Sequence, residues 1–212
     1  MSGSGITSTV FKKPEPTALR DAIRGHRSLL EEGKILHRDI SENNIIITEF
    51  PAKEEPKGRL IDLDLAKELD SIPSGARKGH TYRHDLESFF YVLIWMCIRY
   101  GYEGVVRQKL NRLLRPKTNI LRGWYTGIYT EIANTKQGYM GKNRFENIIA
   151  EFAPKFENLK SLAREIRSTL FPIRDGDIFT GTFHEHDIMY NGMITAFDRA
   201  IDHLGKEEQV DA

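Results

Sequence analysis

Two stretches, Ile35-Leu-His-Arg-Asp39-Ile-Ser-Glu-Asn-Asn44-Ile-Ile-Ile47 and Leu60-Ile-Asp62-Leu-Asp64-Leu-Ala66, decide the fold of this 212-residue chain. Ile45–Ile47 is a short β-branched run, which favours a strand because branched side chains are stiff and suit a pleated surface. Phe50 to Gly58 is polar, with two prolines and a glycine, and reads as a loop; Arg59–Ile61 reads as the returning strand. The spacing predicts a hairpin with a long tip. At its base it gathers Asp39, Asn44 and Asp62, two acidic centres and an amide. Two carboxylates and an amide at the ends of short apolar strands form a constellation for holding a metal–nucleotide and a hydroxyl.

Around this hairpin the chain reads as helical. Leu19, Ile23, Leu29 and Leu30 give an apolar stripe to a helix capped by Thr17 and running to about Glu32, stopped by Gly33. Asp85 opens a helix from Leu86 to about Tyr100 that is apolar on nearly every side and is expected to be buried all round. Residues 104–114, 119–133, 143–152, 156–170 and 186–204 carry helical spacing of large apolar residues, punctuated by Pro116, Pro154 and Pro172. Residues 1–16, rich in Gly, Ser, Thr and Pro, are expected to be a disordered arm, and 206–212 a flexible tail.

Thirty-one basic and thirty acidic residues leave a formal charge of +1, which argues against a nucleic-acid partner. The longest apolar run, Phe89–Ile98, is ten residues long, well short of the ~18 that suggest a membrane span. The lone Cys97 excludes an internal disulfide and fits a reducing compartment, so a soluble intracellular protein, cytoplasmic or nuclear, is expected. Within an apolar helix that thiol is expected to be packed and inert. Trp95, Trp124, Tyr125 and Tyr129 read as packing residues. His184-Glu-His-Asp187 has metal-ligand residue types but no strict ligand spacing, and reads as a solvated loop.

His37-Arg38-Asp39 followed five residues later by Asn44 resembles the catalytic loop of protein kinases. Asp62-Leu63-Asp64 stands where that fold carries Asp-Phe-Gly. Asp85-Leu-Glu-Ser-Phe-Phe-Tyr-Val-Leu93 resembles the start of the central buried helix in casein-kinase-like members. Together the three motifs most resemble the fungal-type protein kinase family, over residues 17–205. The resemblance implies a mainly α, protein-kinase-like C-lobe with a small β-hairpin, the N-lobe being absent. It implies ancestral ATP-dependent phosphoryl transfer to Ser or Thr, with Mg²⁺ and ATP as cofactors. By matching position, Asp39 orients the acceptor hydroxyl, with Arg38 and Asn44 beside it in the catalytic loop. Asn44 and Asp62 hold the metal and nucleotide, with Asp64 a further candidate ligand. His37 and Asp85 anchor the structure.

Ser41 replaces the usual lysine and Asp64 the usual glycine. No Gly-x-Gly-x-x-Gly loop or strand lysine precedes His37, and the stretch from Asp62 to Asp85 is short and lacks Ala-Pro-Glu. The expectation is therefore a truncated domain with weak or no autonomous activity. It would expose the surface that normally meets the N-lobe to a protein partner or to self-association. Two alternatives stand beside it. One is a small-molecule phosphotransferase of the aminoglycoside/choline kinase type, which Ile61-Asp62-Leu63-Asp64 also resembles. The other is a non-catalytic pseudokinase interaction module.

Overall fold

A computed structural model describes residues 8–10, 14–49, 52, 54–69, 79–100 and 120–210. The fold is mainly helical, with small antiparallel sheets. Helix α1 (Pro16–Glu31) starts with proline at its first turn, where the missing N–H has no intrahelical partner to lose. Thr17, expected to cap it, lies just inside. Strands β2 (Ile35–Leu36) and β5 (Lys67–Glu68) pair antiparallel and bracket the candidate loops. Strands β3 (Ile45–Thr48) and β4 (Gly58–Leu60) form the expected hairpin, Ile45 facing Leu60 and Ile47 facing Gly58.

A third strand extends that hairpin. Residues 8–10, expected within a disordered arm, form β1 (Ser8–Val10), paired with β3 from Ser8↔Thr48 to Val10↔Ile46. Thr9 and Val10 are β-branched, and the otherwise open edge of β3 supplies their hydrogen-bond partners. On the other side, α1 packs so closely on β4 that a Cβ on Gly58 would fall 1.9 Å from the carbonyl oxygen of Ala18. Only glycine permits that approach.

Helix α2 (Tyr82–Arg99) is the central post, with Leu86, Phe89, Phe90, Leu93, Ile94, Met96 and Cys97 all buried. It is not buried all round. His84, Ser88, Tyr91, Trp95 and Arg99, spaced by three or four residues, stay partly or fully exposed along one face. The thiol of Cys97 lies wholly inside, and burial pushes its pKa far up, as an inert packed cysteine requires.

Beyond α2 the expected segment 104–114 lies outside the described residues. The expected helix 119–133 is instead a 3₁₀ turn, Ile120–Trp124, and a separate helix α3 (Tyr129–Tyr139). Gly127 (φ 115°) breaks the run between them. Helix α4 (Lys142–Ala150) follows. The next expected helix, 156–170, divides into the 3₁₀ turn Pro154–Leu159 and α5 (Lys160–Leu170). A two-residue hairpin, β6 (Ile173–Arg174) and β7 (Asp177–Ile178), leads to α6 (Asp187–Val210), which carries helix well into the expected tail. Among the described residues no helix is long and apolar enough to cross a membrane.

Helix α6 closes back onto α1. Arg20 and Arg24 reach Asp198, at 3.0 and 3.2 Å, and Arg27 reaches Asp187 at 2.6 Å. Positions 20, 24 and 27 share one helical face, so a single seam joins the two helices.

Candidate active site

Asp85, at the first turn of α2, is completely buried and is a hub. Its carboxylate accepts from His26 Nε2 (2.8 Å), His80 Nε2 (2.6 Å) and the backbone N–H groups of His37 (3.2 Å) and Arg38 (3.1 Å). Burial opposes its ionisation, but the hydrogen bonds from His26 and His80 prevail and hold its pKa well below the usual carboxylate range. Asp85 thus joins α1, α2 and the backbone of the Asp39 loop through one carboxylate. His26 passes the network on. Its Nε2 donates to the carboxylate, so in the neutral ring Nδ1 accepts from the Tyr190 hydroxyl at 2.6 Å. Burial first, and the Asp85 charge second, push the Tyr190 phenol far up, so it stays protonated as this role demands.

The loop held by Asp85 takes unusual backbone shapes. Arg38 (φ 69°) and Asp62 (φ 65°) both lie in the left-handed region. That conformation costs about 1–2 kcal/mol for an L-residue and persists where surroundings over-determine it. His37 supplies the bracing. Wholly buried, its Nε2 donates to the Ile61 carbonyl (3.1 Å), while its Nδ1 accepts from the Asp39 N–H (3.4 Å). One imidazole therefore ties the Asp39 loop to the strand end that precedes Asp62.

Asn44 is buried, and its Nδ2 donates to both the carbonyl and Oδ2 of Asp39, each at 2.9 Å. Spending the amide nitrogen this way leaves Oδ1 as the atom a cation would use. On the facing strand the Ile61 N–H donates to the Asn44 carbonyl at 3.0 Å. Asp62 is the next residue. Its carboxylate is exposed, and Oδ1 accepts from the Asp64 N–H at 3.2 Å. Asp64 is exposed as well, so the pair caps its own turn at the open end of the hairpin. The fold therefore brings Asp39 and Asn44 into direct contact and sets Asp62 one residue from the Asn44–Ile61 link. The donor set of one amide oxygen and one exposed carboxylate has the chemistry of a hydrated Mg²⁺ site. Arg38 is exposed.

Among the described residues, ligand atoms of Glu31, His186 and Asp187 lie within 4.8 Å of one another. Two of the four residues in the expected solvated loop thus have company. Arg27 already serves both carboxylates, at 2.7 Å to Glu31 and 2.6 Å to Asp187. The local cation is therefore a guanidinium.

Sequence reasoning passed over His26, His80 and Tyr190. His26 continues the buried α1 face of Leu19, Ile23 and Leu30 at helical spacing. A polar residue on a core face needs a partner, and that signal points to a network.

Residues 3–97 match the model of the fungal protein kinase family, described as "Fungal protein kinase". The likeness read from the three motifs holds over this stretch, which runs from the arm to Cys97 in α2. No curated protein matches the chain.

Proposed function

We propose that this protein-kinase-like domain supports Mg²⁺-dependent phosphoryl transfer from ATP to a Ser or Thr hydroxyl, on a C-lobe built around α2. The observation that carries this reading is the direct bond between Asn44 Nδ2 and Asp39 Oδ2, made across a loop whose backbone N–H groups Asp85 holds. It fixes a carboxylate beside an amide oxygen in the arrangement phosphoryl transfer needs, where positioning and charge neutralisation do most of the work. Asp39 would orient the acceptor hydroxyl and take its proton. Asn44 Oδ1 and the Asp62 carboxylate would hold the metal. The bound ion would neutralise phosphate charge. With serine at position 41 in place of the usual lysine, transfer by the chain alone is expected to be slow.

Ile61, Leu63 and Leu65 are 39, 48 and 60% exposed, alternating with the two carboxylates of the same loop. Apolar side chains flanking a polar site suit a covering partner that contributes the nucleotide roof, which supports the expectation of a protein–protein or interlobe contact there.

A thermal-shift titration with Mg²⁺–ATP tests the reading. Ligand at 100 times its Kd adds about 2.7 kcal/mol of stability, and Asp62→Ala is expected to abolish that gain. No stabilisation of the unmodified chain, or an undiminished gain in Asp62→Ala, would reject the site and leave a non-catalytic interaction domain.

A further inference from the structure

A crevice of about 210 Å³ opens at the residue that follows Asp39. Its walls are Ile40 from the loop, Val92 and Trp95 from the half-open face of α2, Trp124 and Tyr125 from the 3₁₀ turn, and Lys136 from α3. Small-molecule sites run to ~300–1,000 Å³, so this volume suits one side chain and not a nucleotide. The walls are largely apolar and aromatic, with Trp95 and Tyr125 meeting edge to face at 5.5 Å. Trp124 is 6% exposed, yet its indole N–H has no acceptor among the described residues. A buried donor without a partner is uncommon, because it forfeits its bond to water with no return. Lys136 lies over the Tyr91 ring at 4.7 Å; burial lowers its ammonium pKa, and the Glu87 charge works in the opposite direction. Glu42 also lines the crevice and offers a carboxylate acceptor.

Apolar walls, an indole donor without an acceptor among the described residues, an ammonium and a carboxylate acceptor describe the complement of a phenol. We infer that the crevice is a selectivity subsite for a tyrosyl side chain of the peptide whose Ser or Thr hydroxyl is presented to Asp39. The ring stacks among Trp95, Trp124 and Tyr125. The phenol oxygen accepts from Trp124 Nε1 or Lys136 Nζ, and the phenol O–H is free to donate to Glu42. This assignment rests on the phosphoryl-transfer reading of Asp39, and deepens it by naming a feature of the acceptor.

The chain has two tryptophans, and both line the crevice, so indole emission reports its occupancy directly. The probes are short acetylated peptide amides containing one serine and one nearby tyrosine, with phenylalanine, lysine or aspartate counterparts, and choline, all titrated without nucleotide. The tyrosine peptide is expected to change tryptophan emission saturably. The phenylalanine peptide should bind about five-fold more weakly, the size of one hydrogen bond, and lysine, aspartate and choline at least ten-fold more weakly. Trp124→Phe should keep binding but reduce the preference of tyrosine over phenylalanine, Trp95 serving as reporter. Lys136→Met, which keeps the side-chain stem, should reduce the same preference and stands in should Trp124→Phe not fold. Unchanged emission, equal binding of a charged peptide or choline, or a preference that survives both substitutions would overturn the assignment. Because no nucleotide is present, the two readings fail separately. Loss of tyrosine selectivity with Mg²⁺–ATP stabilisation intact removes the subsite alone. The converse removes phosphoryl transfer and leaves a tyrosine-peptide module.

Discussion

Asp85 and Asp62 are the same residue put to opposite uses. Asp85 is wholly buried and takes hydrogen bonds from two histidines and two backbone amides. Asp62 is exposed and accepts from the Asp64 N–H two residues along its own turn. A carboxylate saturated by the protein has nothing to offer a ligand, and one left open contributes little to the fold. Burial and satisfaction of lone pairs thus separate the buried anchor from the carboxylate left open to a ligand, where residue type alone cannot.

The sharpest break of this contrast is to remove each in turn. Asp85→Ala strips four donors of their acceptor and is expected to cost about 3–5 kcal/mol, as breaking a buried charged network does; urea denaturation will measure it. A nearly equal loss should follow from Gly58→Ala, where the new methyl meets the Ala18 backbone rather than a movable side chain. About 3 kcal/mol, the top of the usual overpacking range of ~1–3, is expected by the same method.

A pH series sharpens the comparison further. The Asp85 pKa is depressed on folding, so its stabilisation is fully present above the unfolded value of ~3.9 and is lost as pH falls toward the lower folded value. The stability gap between the unmodified chain and Asp85→Asn should hold from pH 7 to about pH 5 and narrow progressively below about pH 4. Asp62→Ala comes last. Its effect on stability should be about 1 kcal/mol, the loss of one turn hydrogen bond at a left-handed position, well below that of Asp85→Ala, while the Mg²⁺–ATP gain disappears. A large destabilisation by Asp62→Ala would erase the distinction drawn here.

The sequence carried the local half of this picture. His37-Arg38-Asp39, Asn44 and Asp62 could be placed because strand, loop and returning strand are close in the chain and each has its own composition. What it could not carry was set by distance. His26 meets Asp85 across 59 positions and Tyr190 across 164, and no periodicity reports a partner so far away. Strand β1 was hidden for the same reason, since three residues form a strand only when β3 offers an edge. The all-apolar reading of α2 failed more instructively. Tyr91 and Trp95 count as hydrophobic, yet they form the half-exposed wall of a crevice, because large amphipathic rings can serve core and surface together.

Tyr190 belongs to the last helix, whereas the loop it steadies through His26 and Asp85 belongs to the first quarter of the chain. On a ribosome adding ~5–20 residues per second, His26 is made roughly 8–33 s before the phenol that completes its bonding. The stretch that matches the kinase family, 3–97, is therefore not expected to be an excisable unit. A nascent or clipped chain that ends before α6 holds an unfinished hydrogen-bond relay beneath its Asp39 loop, and should be read by proteases and chaperones as incomplete.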